Sequence, residues 1–395
     1  LGTEPIYESL AGQRGLTLDF NEYRDIAPYR GKDVEDAIGR LINNAPFIEQ
    51  MLCGMQNKED RFDKQKTEAY LNLVIAQLKK VHTYEDFQKN VTAGIFLPSI
   101  LKNSSTGFSF SGLEKIAPDE ACFYMSNHRD IILDCALIDM ALTKGGRGMC
   151  EMAIGDNLLY NQFVIDLFKL NGGVVVKRTL PMREKYLESI RLSRYFVELI
   201  TQEKHSIWCA QKSGRAKDGI DVTTPAIIKM LYLSQRGRDV TFSDLIRECH
   251  LVPVAVSYEY DPNDINKGRE EVDIAINGSH EKKKYEDLIS MLRGLTKPKG
   301  RIHVSFGTPI TDHCDTPQEV ADQVDKQIHL MYKLWPTNCF AYDYLEHTDQ
   351  FKAEYKDFDN VSFLARYAHL QPEVREFILN SFANPVRSYL SAKNS

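Results

Sequence analysis

The sequence predicts an α/β fold: a mixed, largely parallel central sheet flanked by helices, with helical extensions at both ends. Three observations predict it. Apolar residues recur at spacings of three and four between residues 33 and 90, the period of an amphipathic helix. From about residue 106 to 335, short runs rich in β-forming residues alternate with helical stretches, the grammar of an α/β layer. Beyond residue 335 the pattern is helical again. The chain accordingly divides into 1–105, a helical N-terminal unit, 106–335, an α/β domain, and 336–395, a helical C-terminal extension.

In the first unit Ala37, Ile38, Leu41 and Ile42, and then Tyr70, Leu71, Leu73, Val74, Ile75 and Leu78, line helix faces, and no strand-like alternation interrupts them. The α/β domain opens after a Ser/Asn-rich turn at 102–107. Its strands are expected at Cys122–Met125, Gly173–Val176, Ser206–Ala210, Leu251–Tyr258 and Ile302–Phe306, and its helices at Asp134–Leu142, Pro181–Ile200 and Thr224–Ser234. The helix Thr316–Leu334 starts on Thr316-Pro317, a favourable capping pair. The tail is aromatic and helical, with breaks expected at Pro372 and Pro385.

Composition bounds the function. The 395 residues are 43% hydrophobic and 26% charged, an ordinary globular balance able to bury a large core. A net charge of −6 argues against general nucleic-acid binding. Eight cysteines, with no C-x-x-C pair or zinc-site spacing, are expected as reduced thiols of a cytoplasmic protein. The start, LGTEPIYESL, lacks the features of a secretory signal. The longest uncharged stretch, 90–101, has 12 residues against the roughly 20 that a spanning helix needs. Contact with a membrane surface would then fall to the N-terminal helices, the apolar 91–101 stretch, or the basic runs 282–284 and 297–301.

Three segments carry the chemistry. In Ser126-Asn127-His128-Arg129-Asp130, followed by Ile131-Ile132-Leu133-Asp134, a histidine leaves a strand with carboxylates close behind. A neutral imidazole in that place takes a proton when a carboxylate holds its other nitrogen. The same histidine equally suits a structural, capping role. In Asn171–Arg178 a Gly-Gly turn and a strand end on Lys177 and Arg178, cations able to grip an anion or merely to face solvent. In Ile207–Gly219 a buried strand enters a turn bearing Lys212, Ser213, Gly214, Arg215 and Lys217. Its open backbone and Arg fork suit a phosphate, although it is not a Walker loop. A fourth run, Leu251-Val252-Pro253-Val254-Ala255-Val256, is an apolar strand.

Taken in order over residues 106–335, these four segments resemble the glycerolipid acyltransferases that act on glycerol-3-phosphate and 1-acylglycerol-3-phosphate. That family pairs a histidine with an aspartate four intervening residues on, then carries G-x-x-[FV]-[IV]-x-R, matched by Gly172–Arg178. Its third block is E-G-T-R or, in the soluble plastid enzymes, Ser-Gly-Gly-Arg, to which Ser213-Gly214-Arg215 is similar. Gly300–Ile310 resembles the closing strand, and Ile154–Leu159 with Ala216–Gly219 resembles a soluble bacterial subgroup. Two departures stand out: five residues separate His128 from Asp134, and Ser213 stands where Glu is usual. Asp134 is taken as the partner, after a one-residue bulge, with Asp130 as the alternative.

The resemblance implies fatty acyl transfer in phospholipid biosynthesis, from acyl-CoA or acyl carrier protein to a hydroxyl of a phosphate-bearing acceptor. It implies His128 as base, Asp134 as its partner, and Lys177, Arg178, Lys212, Ser213, Gly214, Arg215 and Lys217 as the acceptor's ligands. Amides near Gly214 or at the start of the 134–142 helix would stabilise the oxyanion. No cofactor or metal is needed, and the enzyme would be cytoplasmic or peripheral on the inner membrane face. Two rivals are a non-catalytic lipid- or acyl-carrier-binding protein and a thioesterase or lipase. The second lacks G-x-S-x-G, Gly107–Ser111 coming nearest.

Overall fold

A computed structural model describes residues 18–44, 48–49, 64–283 and 285–394. Cys53, Lys284 and the part of the N-terminal helical expectation over 45–47 and 50–63 lie outside the described residues. Seven strands form one sheet in the order β1-β7-β6-β2-β5-β3-β4. They are β1 (Gly107–Ser111), β2 (Phe123–Ser126), β3 (Cys150–Gly155), β4 (Gly173–Val176), β5 (Ser206–Ala210), β6 (Leu251–Tyr258) and β7 (Arg301–Phe306). Strands β6, β2, β5, β3 and β4 run parallel, β7 is antiparallel to β6, and β1 follows β7. The carboxyl ends of five strands therefore share one edge, where open α/β sheets bind their ligands.

Before the sheet come α1 (Lys32–Asn43), α2 (Lys64–Leu78), a helical turn at Tyr84–Asp86, a π-helix at Phe87–Phe96, and α3 (Leu97–Ser104). Thr83 and Asp86 close a capping box at the start of that run. Between strands lie α4 (Leu133–Lys144), α5 (Gln162–Leu170), α6 (Met182–Thr201), α7 (Pro225–Leu231), α8 (Phe242–Glu248), α9 (Asp264–Asn277) and α10 (Glu286–Thr296). After β7 come α11 (Pro317–Met331), α12 (Pro336–Glu346), α13 (Asn360–Ala365) and α14 (Pro372–Asn394). Pro385 lies within α14 rather than breaking it.

Strand alternation divides the core between the two sheet faces. Tyr124, Trp208, Val252, Val254 and Val256 pack with α4 and with Val34, Leu78, Val91, Leu97 and Ile100 of the N-terminal helices. Phe123, Met125, Ile207, Leu251 and Ala255 pack under α6, α7, α8 and α11. Burial on both faces is what a parallel sheet requires. The outer edge of β4 is met by the N-terminal segment, Val175 N donating to Ile26 O at 2.9 Å. Lys169 holds that segment by donating to the carbonyls of Arg24, Asp25 and Ala27. A separate aromatic cluster, including Phe340, Phe363, Tyr367 and Phe382, joins α12, α13 and α14.

The structure corrects two expectations about surface. The 91–101 stretch is core, with Val91, Phe96, Leu97 and Ile100 buried. The 297–301 run is not a basic patch. Lys299 is fully buried, donating to Ser104 Oγ at 2.6 Å, and Arg301 forms a bidentate pair with Glu259. Lys282 is tied to Asp287 at 2.8 Å. The seven described cysteines are thiols, six of them buried.

Candidate active site

His128 stands two residues beyond β2 at the shared carboxyl edge. Its Nδ1 lies 2.9 Å from Asp134 Oδ2, and its side chain keeps 14% of its surface exposed while that of Asp134 has none. Asp134 is the second residue of α4, so the loop 127–132 takes up the fifth intervening residue. The carboxylate is fastened on every side. Oδ2 accepts the Arg129 and Asp130 amides at 2.6 and 2.9 Å, and Oδ1 accepts Tyr258 OH at 2.7 Å. His128 Nε2 makes no hydrogen bond among the described residues. The Trp208 indole packs edge-on against the imidazole, with centroids 5.9 Å apart.

Asp130 has a different task. Its Oδ1 accepts the amides of Ile132 and Leu133 at 3.0 and 2.9 Å and so starts α4. Burial, then the nearby Asp134 charge, raises its pKa. Those bonds occupy the amides of Ile132 and Leu133, just before the 134–142 helix. Asn127 holds the histidine loop to its neighbours. Its side chain exchanges hydrogen bonds with both backbone groups of Val256, at 2.8 and 3.1 Å, and donates to Asp221. Arg129, buried, reaches the same Asp221 oxygen at 2.6 Å.

The turn after β5 is tied to the histidine directly, Ala216 N donating to His128 O at 2.7 Å. Arg178, from the end of β4, crosses to it, its Nη1 donating to Ser213 Oγ at 3.0 Å. Asp156 after β3 fixes that strand end by accepting Arg178 N and Thr179 Oγ1. Gly214 is left-handed, φ 82°, with open space where a Cβ would stand. The amides of residues 212–215 donate to nothing among the described residues. One guanidinium nitrogen of Arg215 is buried without a partner, close enough to Asp130 and Lys267 to act on both charges. Among the described residues Lys212 bonds only the Ile220 carbonyl, at 3.3 Å.

Two expected ligands are held elsewhere. Lys177 pairs with Asp25 at 2.7 Å and Glu188 at 3.1 Å, because successive residues leave a strand on opposite sides. Lys217 turns to α9, pairing with Glu270 and Glu271 at 2.7 and 2.8 Å. Tyr258, Asn127 and Trp208 are the residues that sequence reasoning left out. Asn127 had a signal in its place before the histidine, whereas Tyr258 arrives from β6, 124 positions away.

Residues 107–257, from the start of β1 almost to the end of β6, match the Acyltransferase family. Among solved structures it is similar to the 1-acyl-sn-glycerophosphate (LPA) acyltransferase PlsC from Thermotoga maritima. Identity is 14% and the TM-score 0.37, over 66% of this chain and 86% of that one. No curated protein matches the chain.

Proposed function

We propose that this protein transfers a fatty acyl group from an acyl thioester, on coenzyme A or acyl carrier protein, to a hydroxyl of a phosphate-bearing acceptor of the glycerol-3-phosphate or lysophosphatidate kind. The observation that carries the reading is the His128–Asp134 pair, a largely buried imidazole that keeps 14% of its surface exposed over a fully buried carboxylate, with the turn at 212–215 beside it. Asp134 keeps the proton on Nδ1, which leaves Nε2 to take the acceptor's hydroxyl proton. The alkoxide attacks the thioester carbonyl, and the tetrahedral adduct expels the thiolate, which recovers the proton from the imidazolium. No acyl group resides on the protein. Open amides at 213–214 suit the oxyanion, and Arg178, Lys212 and Arg215 suit the acceptor phosphate.

The phosphate set is smaller than the sequence implies, since Lys177 and Lys217 are neutralised by their own carboxylates. The Ser213-Gly214-Arg215 turn supports a place near the soluble glycerol-phosphate acyltransferases. The test is thiol release from palmitoyl-CoA and palmitoyl-acyl carrier protein with glycerol-3-phosphate, with lysophosphatidate and with no acceptor. Acceptor-dependent release that falls about 10²–10⁴-fold in His128→Ala is expected, the usual contribution of a positioned base. Release without acceptor would make the protein a hydrolase, and a His128→Ala enzyme within tenfold of wild type would remove the base from the scheme.

A further inference from the structure

Much of what a sequence reading offers to a lipid surface is already engaged: 91–101 is largely core, Lys299 is buried, and the exposed Arg301 and Lys282 are paired with carboxylates. A different surface is not. The first two turns of α6 project from the fold, every residue from 181 to 187 being exposed. Helices of a globular domain bury one stripe along their length, and this one does so only from about Leu192 onward. On the free part stand Met182, 89% exposed, Leu187, 57% exposed, and Tyr186. Tyr160, exposed on the loop after β3, and Ile220 and Val222, exposed on the turn after β5, complete the set.

These residues share an edge. The segments after β3, β4 and β5 all leave the carboxyl end of parallel strands, the edge that also carries His128. Asp156 ties two of them together by bonding Arg178 and Thr179, and Met182 is four residues beyond Arg178. Large apolar side chains concentrated on one rim of a polar surface mark a contact site. The charges say with what. Residues 178–187 carry Arg178, Arg183 and Lys185 against Glu184 alone, all exposed. A protruding helical start with exposed apolar residues beside cations has the make-up of an interfacial anchor.

We infer that the projecting start of α6, with the rim at Tyr160 and Val222, is where this protein docks on an anionic bilayer, so that the His128 edge faces the lipid. Apolar side chains enter the headgroup boundary while Arg183 and Lys185 meet acidic headgroups, the two components of interfacial binding. The inference goes beyond the proposed chemistry, and it is read without turnover, so either can fail alone.

The experiment is flotation of the full chain with vesicles of phosphatidylcholine alone and of equal parts phosphatidylcholine and phosphatidylglycerol. Wild type should float with the mixed vesicles and be released by added salt. Met182→Ser/Leu187→Ser should weaken flotation about tenfold or more, the expected loss for two buried apolar side chains. Arg183→Glu/Lys185→Glu should abolish the preference for the anionic vesicles. Ile276→Ser, at an exposed apolar position on α9, should float as wild type. These positions are exposed, so unchanged melting temperatures are expected of all three variants. Wild type that stays in solution with both vesicles, or a Met182→Ser/Leu187→Ser protein that floats unchanged, would overturn the inference. Capture of acyl carrier protein through Arg183 and Lys185 without flotation would overturn it too, reassigning the surface to the donor's carrier.

Discussion

The role of a single hydroxyl shows how closely the His128 pair is built. Asp134 receives four hydrogen bonds, and among the described residues the Tyr258 hydroxyl is the sole partner of Oδ1, at the end away from His128. Burial and the neighbouring carboxylate raise the Tyr258 pKa well above its ordinary value, so the phenol stays a donor. Tyr258→Phe leaves that oxygen buried and unsatisfied, a cost of about 1–3 kcal/mol, and frees the carboxylate to rotate. Tyr258 is a positioning residue on this account. Its loss should lower kcat with little change in KM, and rate measurements on the soluble acceptor beside thermal melts of the same variant check it. A variant destabilised as expected but with unaltered kcat would make the hydroxyl structural only. At this scale the sequence was legible where chemistry is local. His128, Asp134 and the turn at 213–215 stand out as candidates in short ordered motifs, and the structure sets His128 Nδ1 against Asp134 rather than Asp130. Lys177 could not be told from Arg178 without the strand's direction, since which of two adjacent cations faces the turn depends on which face of β4 each leaves.

Elements that carry buried charge were the hardest to read. Strand β3, Cys150–Gly155, holds a fully buried Glu151 bonded to Arg30, Tyr84 and Tyr195, and that acid breaks the apolar run by which a strand is recognised. Strand β1, Gly107–Ser111, is an edge of small and aromatic residues that alternate only between exposed and half-buried. The strands β2, β4, β5, β6 and β7 are apolar runs and were predicted to within a residue or two. Beside β3, α4 buries Asp139, which accepts Cys150 N at 2.8 Å and Gln88 Nε2 at 3.1 Å and so joins sheet, helix and π-helix. Burial raises its pKa to about 7, above an unfolded value near 3.9. The folded protein therefore holds more protons than the unfolded chain between about pH 4 and 7, and this group's contribution to stability declines as pH rises through that window. Each unit of displacement is about 1.4 kcal/mol. Asp139→Asn keeps a carbonyl for Cys150 and removes the ionisation. Its unfolding free energy, from denaturant melts at pH 5 and 8, should fall less between the two than that of wild type. Equal slopes would mean that Asp139 is ionised throughout.

Across the whole molecule, helices far apart in the sequence, α14 of the C-terminal extension among them, hold the site in place, which no pattern within one segment could reveal. The turn after β5 is gripped residue by residue from distant parts of the chain. Lys217 is held by α9, the Asp218 carbonyl accepts Asn384 of α14 at 2.7 Å, the Asp221 carbonyl accepts His329 of α11, and Thr223 bonds Asp325. Only its tip, 212–215, is left for a ligand. Gly219 is the tightest of these points. Its φ of 79° is left-handed, and a Cβ there would overlap the Ser381 carbonyl of α14. Gly278, at the end of α9, has a φ of 77° and nothing near its missing Cβ. Gly278→Ala thus meets backbone strain alone, about 1–2 kcal/mol, whereas Gly219→Ala adds the displacement of α14 or of the turn. Gly219→Ala should melt at the lower temperature of the two and, in the surviving folded protein, raise KM for the phosphate-bearing acceptor several-fold while Gly278→Ala leaves it unchanged. If the C-terminal helices were a separate addition, the two alanines would lower the melting temperature alike and neither would move KM. A difference confined to Gly219 would show that the acceptor's turn keeps its shape because α14 is packed against it.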